Sequence, residues 1–299
     1  MLNVTKMHGL GNSYVYISEY EENLPEQHLP LLARAVSSVR TGIGSDGLIL
    51  IGPSDTADVR MRIFNADGSE AENCGNGLRC VAKYAYEHKY VSREELTIQY
   101  KTGVARAWVH PAKGLVERVT VDMGEPQFGV AAVGLAETGL RGEVGEEGVG
   151  VAHVERDASG IEYFAVEARG ATYRGALVSM GNPHLVMVRE DATTDAVERL
   201  GPLLERHPAF PNRINVEFVT PLSNKELNFR VWERGSGVTF ACGTGACASV
   251  AAGIRAGLLD SEVLVHLLGG DLEIRQENGR IFMTGEAKEV IRGQFHWDL

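Results

Sequence analysis

The chain has 299 residues, a formal net charge of −11, 44% hydrophobic side chains and 35 glycines. Its length suits two domains of roughly 150 residues, its acidic balance argues against nucleic acid as a partner, and no apolar run reaches the ~20 residues that cross a bilayer. The opening Met1-Leu2-Asn3-Val4-Thr5-Lys6 lacks the character of a secretory leader, so the four cysteines read as free thiols in a reducing cytoplasm, where the sequon at Asn3 has no role.

In chain order, 7–12 reads as a turn and Tyr14 to Ser18 alternates like a strand. Glu26 to Val39 has a helical apolar pattern, with Pro30 disturbing its first turn. Gly42 to Gly47 is formally GxGxxG, but a helix precedes it and the apolar run Leu48 to Ile51 follows, the reverse of a dinucleotide-binding context. It reads as a turn into a strand. Val59 to Phe64 alternates basic and apolar residues, as a half-buried strand does. Next comes the loop Asn65-Ala66-Asp67-Gly68-Ser69, then a helix with Leu78, Val81, Ala82 and Ala85 on one face. Leu96 to Tyr100, Val104 to Val109 and Val116 to Met123 read as strands. The glycine-rich stretch 129–160 has no clear pattern. Thr172 to Met180 is strand-like, Gly181 to His184 a turn and Thr194 to His207 helical. Val216 to Thr220, Leu227 to Trp232, Val263 to Leu268, Leu272 to Arg275 and Ile281 to Thr284 complete the strands.

One tetrapeptide organises this order. Cys74-Gly75-Asn76-Gly77 returns as Cys242-Gly243-Thr244-Gly245, an offset of 168 residues between 74 and 242. Arg62-Ile63-Phe64-Asn65 returns at the same offset as Arg230-Val231-Trp232-Glu233. Each half carries a strand with a polar end, then a cysteine at a helix start, which indicates a duplication. A helix start exposes unpaired N–H groups and the positive end of the dipole, which lowers a thiol pKa, and the glycines let a carboxylate approach the backbone. Two such units bring two thiols to one cleft, one on each face of an α-carbon, for proton removal and return from opposite sides. A single buried cysteine is otherwise an inert packing residue, which is the reading for Cys80 and Cys247.

Asn65 and Glu233 hold equivalent places. Together with Arg234, whose fork matches a carboxylate, they either grip a substrate or serve as a local turn residue and solvated surface. His184, after Pro183, is either structural or catalytic. Metal spacings, a P-loop and a pyridoxal-phosphate lysine context are all missing from the sequence.

These residues sit in ordered blocks: KMHGLGN at 6–12, GIGSDGL at 42–48, FNADGSEAENCGNGLRC at 64–80, MGNPH at 180–184, PNRINVEF at 211–218 and WERGSGVTFACGTGACA at 232–248. With them the chain resembles the diaminopimelate epimerases nearly end to end. The resemblance implies an α+β fold of two pseudo-symmetric domains, each a curved, barrel-like mixed sheet around a central helix, with 1–121 and about 287–299 in the first and 122–286 in the second. It implies epimerisation of LL- to meso-2,6-diaminopimelate without cofactor or metal, in lysine and peptidoglycan precursor synthesis, by a cytoplasmic homodimer with no nucleic-acid or membrane partner. Cys242 would be base and Cys74 acid in the LL-to-meso direction, with His184 and Glu233 as polar neighbours of the thiols. Gly75, Asn76, Gly243 and Thr244 would bind the reacting carboxylate. Asn12, Asn65, Asn182, Asn215, Glu233 and Arg234 would hold the rest of the substrate. The chain departs from the family where relatives often carry Asp at Ser13 and a glutamine contact at Gly47. A proline or hydroxyproline racemase would share the thiol pair without needing a distal-carboxylate clamp. A phenazine-type isomerase would lack one or both thiols, and a non-enzymatic thiol or metal-binding protein would bind zinc tightly and exchange no substrate α-proton with D2O.

Overall fold

The computed structural model describes residues 1–71, 75–135, 149–158, 160–190 and 192–297. The chain forms two compact units, Met1–Asp122 with Thr284–Leu299, and Met123–Met283. The first contains β1 (Leu2–Gly9), β2 (Asn12–Ser18), α1 (Leu29–Ser37), β3 (Gly47–Gly52), β4 (Val59–Asn65), β5 (Glu70–Ala71), α2 (Gly75–Glu87), β6 (Glu95–Tyr100), β7 (Gly103–Ala112) and β8 (Leu115–Gly124). The chain continues through β9 (Gln127–Phe128), β10 (Val149–Arg156), β11 (Glu162–Ala168), β12 (Ala171–Ser179), β13 (Pro183–Val188), α3 (Thr194–Glu205), β14 (Asn215–Ser223), β15 (Glu226–Glu233), β16 (Gly237–Val238), α4 (Gly243–Arg255), β17 (Glu262–Leu267), β18 (Gly270–Glu277) and β19 (Arg280–Glu286). The last strand, β20 (Lys288–Phe295), pairs with β1. This is a mixed α+β fold dominated by sheet.

The duplication read from the thiol motifs is written in the strand pairing. Along β20-β1-β2-β3-β4-β6-β7 the senses run antiparallel, antiparallel, parallel, antiparallel, parallel, antiparallel. Along β11-β12-β13-β14-β15-β17-β18 they run in the same order. Parallel neighbours need a crossover, and each parallel pair has its helix: α1 and α2 in the first unit, α3 and α4 in the second.

All six residues of β3 are buried, because both faces of that sheet are covered. Leu48 and Leu50 pack with Leu29, Leu32, Ala33 and Val36 of α1, an i, i+3, i+4, i+7 stripe. On the other face α2 touches β1, β3, β4, β6 and β7, so the sheet wraps around it. In the second unit Val197, Leu200 and Leu204 of α3 pack on Val216 and Phe218, while α4 touches β12, β13, β14, β15 and β18. The wrapped helices are enclosed by their sheets: α2 is buried all round its first three turns, and most of α4 is Gly, Ala, Ser and Cys.

Two expectations shift. Pro30 falls at the start of α1, so the helix opens at Leu29 behind a short 3-10 turn over Glu26–His28, where proline's missing N–H costs nothing. The unpatterned 129–160 contains β10, which pairs with β11 as a hairpin; residues 136–148 and 159 of that stretch lie outside the described residues. The GxGxxG stretch joins α1 to β3 as a turn, with Ile43 N and Gly44 N donating to Val36 O, both at 3.0 Å. Among the described residues no helix is long and apolar enough to cross a membrane.

Candidate active site

In the second unit the topology gathers the polar candidates at one sheet end. The parallel pair β13 and β14 sets His184 beside Asn215, and antiparallel β15 returns Glu233 to the same end. The chain then enters α4, with Cys242 as its N-cap residue. Cys242 is 5% exposed. Its sulfur lies 3.6 Å from Thr244 Oγ1 and accepts from the Gly245 N–H. A Cβ on Gly245 would stand 2.8 Å from Glu217 Oε1, 3.2 Å from Cys242 Sγ and 3.2 Å from Phe229 Cζ. The fourth residue of the tetrapeptide is therefore glycine because sulfur, carboxylate and ring fill the space a side chain would need.

His184 is fully buried. Its Nδ1 is 2.6 Å from Glu217 Oε1 and its Nε2 is 2.9 Å from Asn182 Oδ1. Asn182 Nδ2 in turn donates to Thr244 Oγ1 at 3.2 Å. Glu217, His184, Asn182, Thr244 and Cys242 thus form one connected line. Burial pushes the Glu217 carboxyl above the usual carboxylate range, against the pull of His184. Glu233 accepts from Thr239 Oγ1, and burial raises its carboxyl as well, opposed by Thr239 and His184. The expected lowering of the thiol is overturned: burial first, then Glu233 and Glu217, hold the Cys242 pKa well above the ordinary thiol value, outweighing the bonds from Thr244 and Gly245. A helix start favours thiolate only when nearby carboxylates and lost solvent do not cost more.

Two candidates are bound up in holding this end together. Asn215 donates from Nδ2 to Pro183 O at 2.8 Å and accepts the Arg234 N–H at 2.9 Å, bracing the β13 entry against the loop after β15. Arg234 is exposed, and its Nη1 donates to Asn212 O at 3.3 Å. The same loop is gripped by buried Glu205 of α3, which accepts from Trp232 Nε1 at 2.9 Å and Gly235 N at 2.8 Å.

The first unit repeats the plan. Asp46 accepts from Asn12 Nδ2 at 2.9 Å and Ser13 N at 2.7 Å. Asn76 Nδ2 donates to Asn12 Oδ1 at 3.3 Å, and buried Arg79 donates to Asn76 Oδ1 at 2.9 Å. So Asn12 contacts Asn76 just as Asn182 contacts Thr244, each pair joining the entry of the strand at the same place in the repeat, β2 or β13, to the second residue of the wrapped helix. Asn65 bonds Ser69 Oγ at 3.0 Å, within its own turn. Gly75 opens α2 as Gly243 opens α4. Cys74 lies outside the described residues. Gly47 has no room for the glutamine of some relatives, since a Cβ there would meet Phe64 O at 2.1 Å. Cys80 and Cys247 are both fully buried along their helices. Among the described residues no group of three His, Cys, Asp or Glu side chains is placed to hold a metal ion.

Sequence reasoning passed over Glu217, Asp46 and Glu205. The signal for Glu217 was available: an acid inside the otherwise apolar run Val216 to Val219.

Residues 4–129 and 176–290 match the family profile described as diaminopimelate epimerase. The chain is 50% identical over 294 residues to the diaminopimelate epimerase of Bacillus licheniformis, covering 97% of each. It is 51% identical over 296 residues to that of Geobacillus kaustophilus, covering 98% of this chain and 96% of the relative. Among solved structures it resembles a Bacillus anthracis phenazine biosynthesis protein at TM-score 0.68, with 16% identity and 99% of each chain covered. It also resembles a probable proline racemase from Agrobacterium radiobacter at TM-score 0.66, with 16% identity, over 100% of this chain and 94% of that one. At such identities these two share the fold alone, which leaves the racemase alternative as a distant fold relative.

Proposed function

The chain belongs to the diaminopimelate epimerase family, and from that premise we propose how it works as an isomerase that interconverts LL- and meso-2,6-diaminopimelate. The observation that carries the reading is half identity to named epimerases across both units, in a chain whose second unit sets a thiol at a helix start beside buried Glu217 and half-buried Glu233.

Cys242 removes the α-proton in the LL-to-meso direction and returns one in the other. Its counterpart is Cys74, which the sequence places at the equivalent position of the repeat, and which acts on the opposite face of the α-carbon. N–H groups at the start of α4, from Gly243 and Thr244, suit a carboxylate, because the first turn of a helix leaves them without intrahelical acceptors; Gly75 and Asn76 match them in the first unit. A carboxylate arriving there, with its α-ammonium, alters the field that now keeps the Cys242 thiol protonated, so substrate entry and thiol ionisation are coupled. Glu233, with its carboxyl in reach of Cys242, suits the substrate's ammonium group. Asn12, Asn65, Asn182 and Arg234 complete the polar lining, while Asn215 and His184 support it from behind. The protein needs no cofactor for this chemistry, works in the cytoplasm and pairs as a homodimer.

The test is a turnover assay with LL-diaminopimelate in D2O. Isomerisation with deuterium entering at the α-carbon is expected. L-proline should give no exchange, and exchange with L-proline but not with LL-diaminopimelate would overturn the assignment.

A further inference from the structure

The line from Glu217 to Cys242 has a direction. Asn182 Oδ1 can only accept, so His184 Nε2, 2.9 Å away, carries a proton. Asn182 therefore turns its NH2 toward Thr244 Oγ1, 3.2 Å away. With an incoming donor on its oxygen, Thr244 has its own proton free to point at Cys242 Sγ, 3.6 Å away. At the far end, Glu217 is wholly buried, its Oε1 is 2.6 Å from His184 Nδ1, and its Oε2 has no hydrogen-bond partner among the described residues. An unpartnered buried carboxylate oxygen is costly, and a carboxylic acid's carbonyl oxygen much less so. Whether the shared proton rests on Glu217 or on Nδ1, Nε2 stays protonated.

We infer that Glu217 is a positioning residue that locks His184 with its Nε2 proton toward Asn182, and so fixes every hydrogen bond in the line such that Thr244 donates to the Cys242 sulfur. Without it, the His184 proton can move to Nδ1 and Nε2 becomes an acceptor. Asn182 then reverses its amide, and Thr244 donates to Asn182 Oδ1 instead of to sulfur. The acidic groups bearing on Cys242 are Glu233 from β15 and Glu217 from β14, with His184 of β13 bonded to the latter. Charge alone would thus make loss of Glu217 ease thiol ionisation, whereas loss of the directed line makes it harder. The two roles predict opposite signs. The inference rests on Cys242 being the working thiol, but its readout is sulfur ionisation rather than turnover, so either can fail without the other.

The experiment follows iodoacetamide alkylation of the full-length chain from pH 6 to 10, with the Cys242 peptide quantified by mass spectrometry. Glu217→Leu should slow Cys242 alkylation about tenfold at pH 8, the loss of about one pKa unit of stabilisation from a donor to the charged sulfur. Thr244→Val should slow it equally, and the double variant no further. Glu217→Gln, whose amide can donate to Nδ1, should restore the rate. Faster or unchanged alkylation in Glu217→Leu overturns the inference and leaves Glu217 a like-charge neighbour. Should Glu217→Leu fail to fold, the wild-type chain decides: a ¹⁵N-histidine spectrum must show the His184 proton on Nε2 between pH 6 and 8, and a proton on Nδ1 alone refutes the lock.

Discussion

Gly245→Ala tests whether the thiol site is as tightly filled as its geometry states. The new methyl would lie 2.8 Å from Glu217 Oε1 and 3.2 Å from both Cys242 Sγ and Phe229 Cζ, where carbon contacts are comfortable at roughly 3.5–4.0 Å. The carboxylate cannot swing aside freely, because His184 holds Oε1 at 2.6 Å and both residues are fully buried. Overpacking of this kind costs about 1–3 kcal/mol. Replacing glycine by alanine in a helix returns at most about 1 kcal/mol, and less at the third residue of α4. The net loss of about 1–2 kcal/mol should lower Tm by no more than about 5 °C. Turnover should suffer more: a 1 Å misplacement can cost ~100-fold in rate, so a shift of about half that in the sulfur or its carboxylate neighbour should cost about tenfold. Gly293→Ala is the control, since a Cβ there meets nothing within 4 Å, and it should stay within about 0.5 kcal/mol of the parent with full activity. Melts followed by circular dichroism, alongside kcat/KM for LL-diaminopimelate, make the comparison. Gly245→Ala with parental kcat/KM and unaltered Cys242 alkylation would refute the reasoning.

Cys242→Ala should leave the melting transition in place and lower kcat by roughly 100- to 10,000-fold, the usual range for removing a general acid or base; turnover near that of the parent rules out its role. Glu205→Ala strands the Trp232 indole N–H and the Gly235 N–H, at about 1–3 kcal/mol, and should raise KM by loosening the loop that carries Glu233 and Arg234. An unchanged KM alongside a lowered Tm would separate the brace from binding. Glu233→Gln probes this half-buried acid by linkage. Its folded-state pKa is raised above the unfolded value by burial, so its contribution to stability is present below the unfolded carboxylate range and is lost as pH rises through the folded value. Between pH 5 and 8 the urea midpoint of the parent should therefore fall relative to that of Glu233→Gln. A parallel pH response in the two proteins counts against the raised carboxyl.

The duplication was legible because its two halves repeat their chemistry in order, and strands such as β4, with burial alternating along Val59 to Ile63, announce themselves by period two; a sheet wrapped around a helix was implied only by the family resemblance. Other strands did not. β13 begins at Pro183, a residue that marks turns and suits only the first position of a strand, so a strand start reads as a loop. β1 and β20 pair with each other across almost the whole chain. That pairing is set by tertiary closure, and the mostly exposed residues of β20 carry no local pattern to reveal it.

The site divides along the same physical line. Cys242 and Glu233 were legible because a helix start and a strand end are local features. Asn215 was legible as polar, but not as a brace whose side chain is occupied by Pro183 O and the Arg234 N–H. The thiol's ionisation was misjudged because its sign depends first on burial and then on two carboxylates brought from other strands. Glu217 sits 25 residues before Cys242 in sequence, and only the parallel β13–β14 pairing, with β15 returning beside it, sets that acid and His184 behind Gly245, the tetrapeptide's second glycine. Composition and spacing identify the groups able to do the chemistry; the sheet order determines which of them share a field, and a buried thiol's readiness to lose its proton is a property of that field.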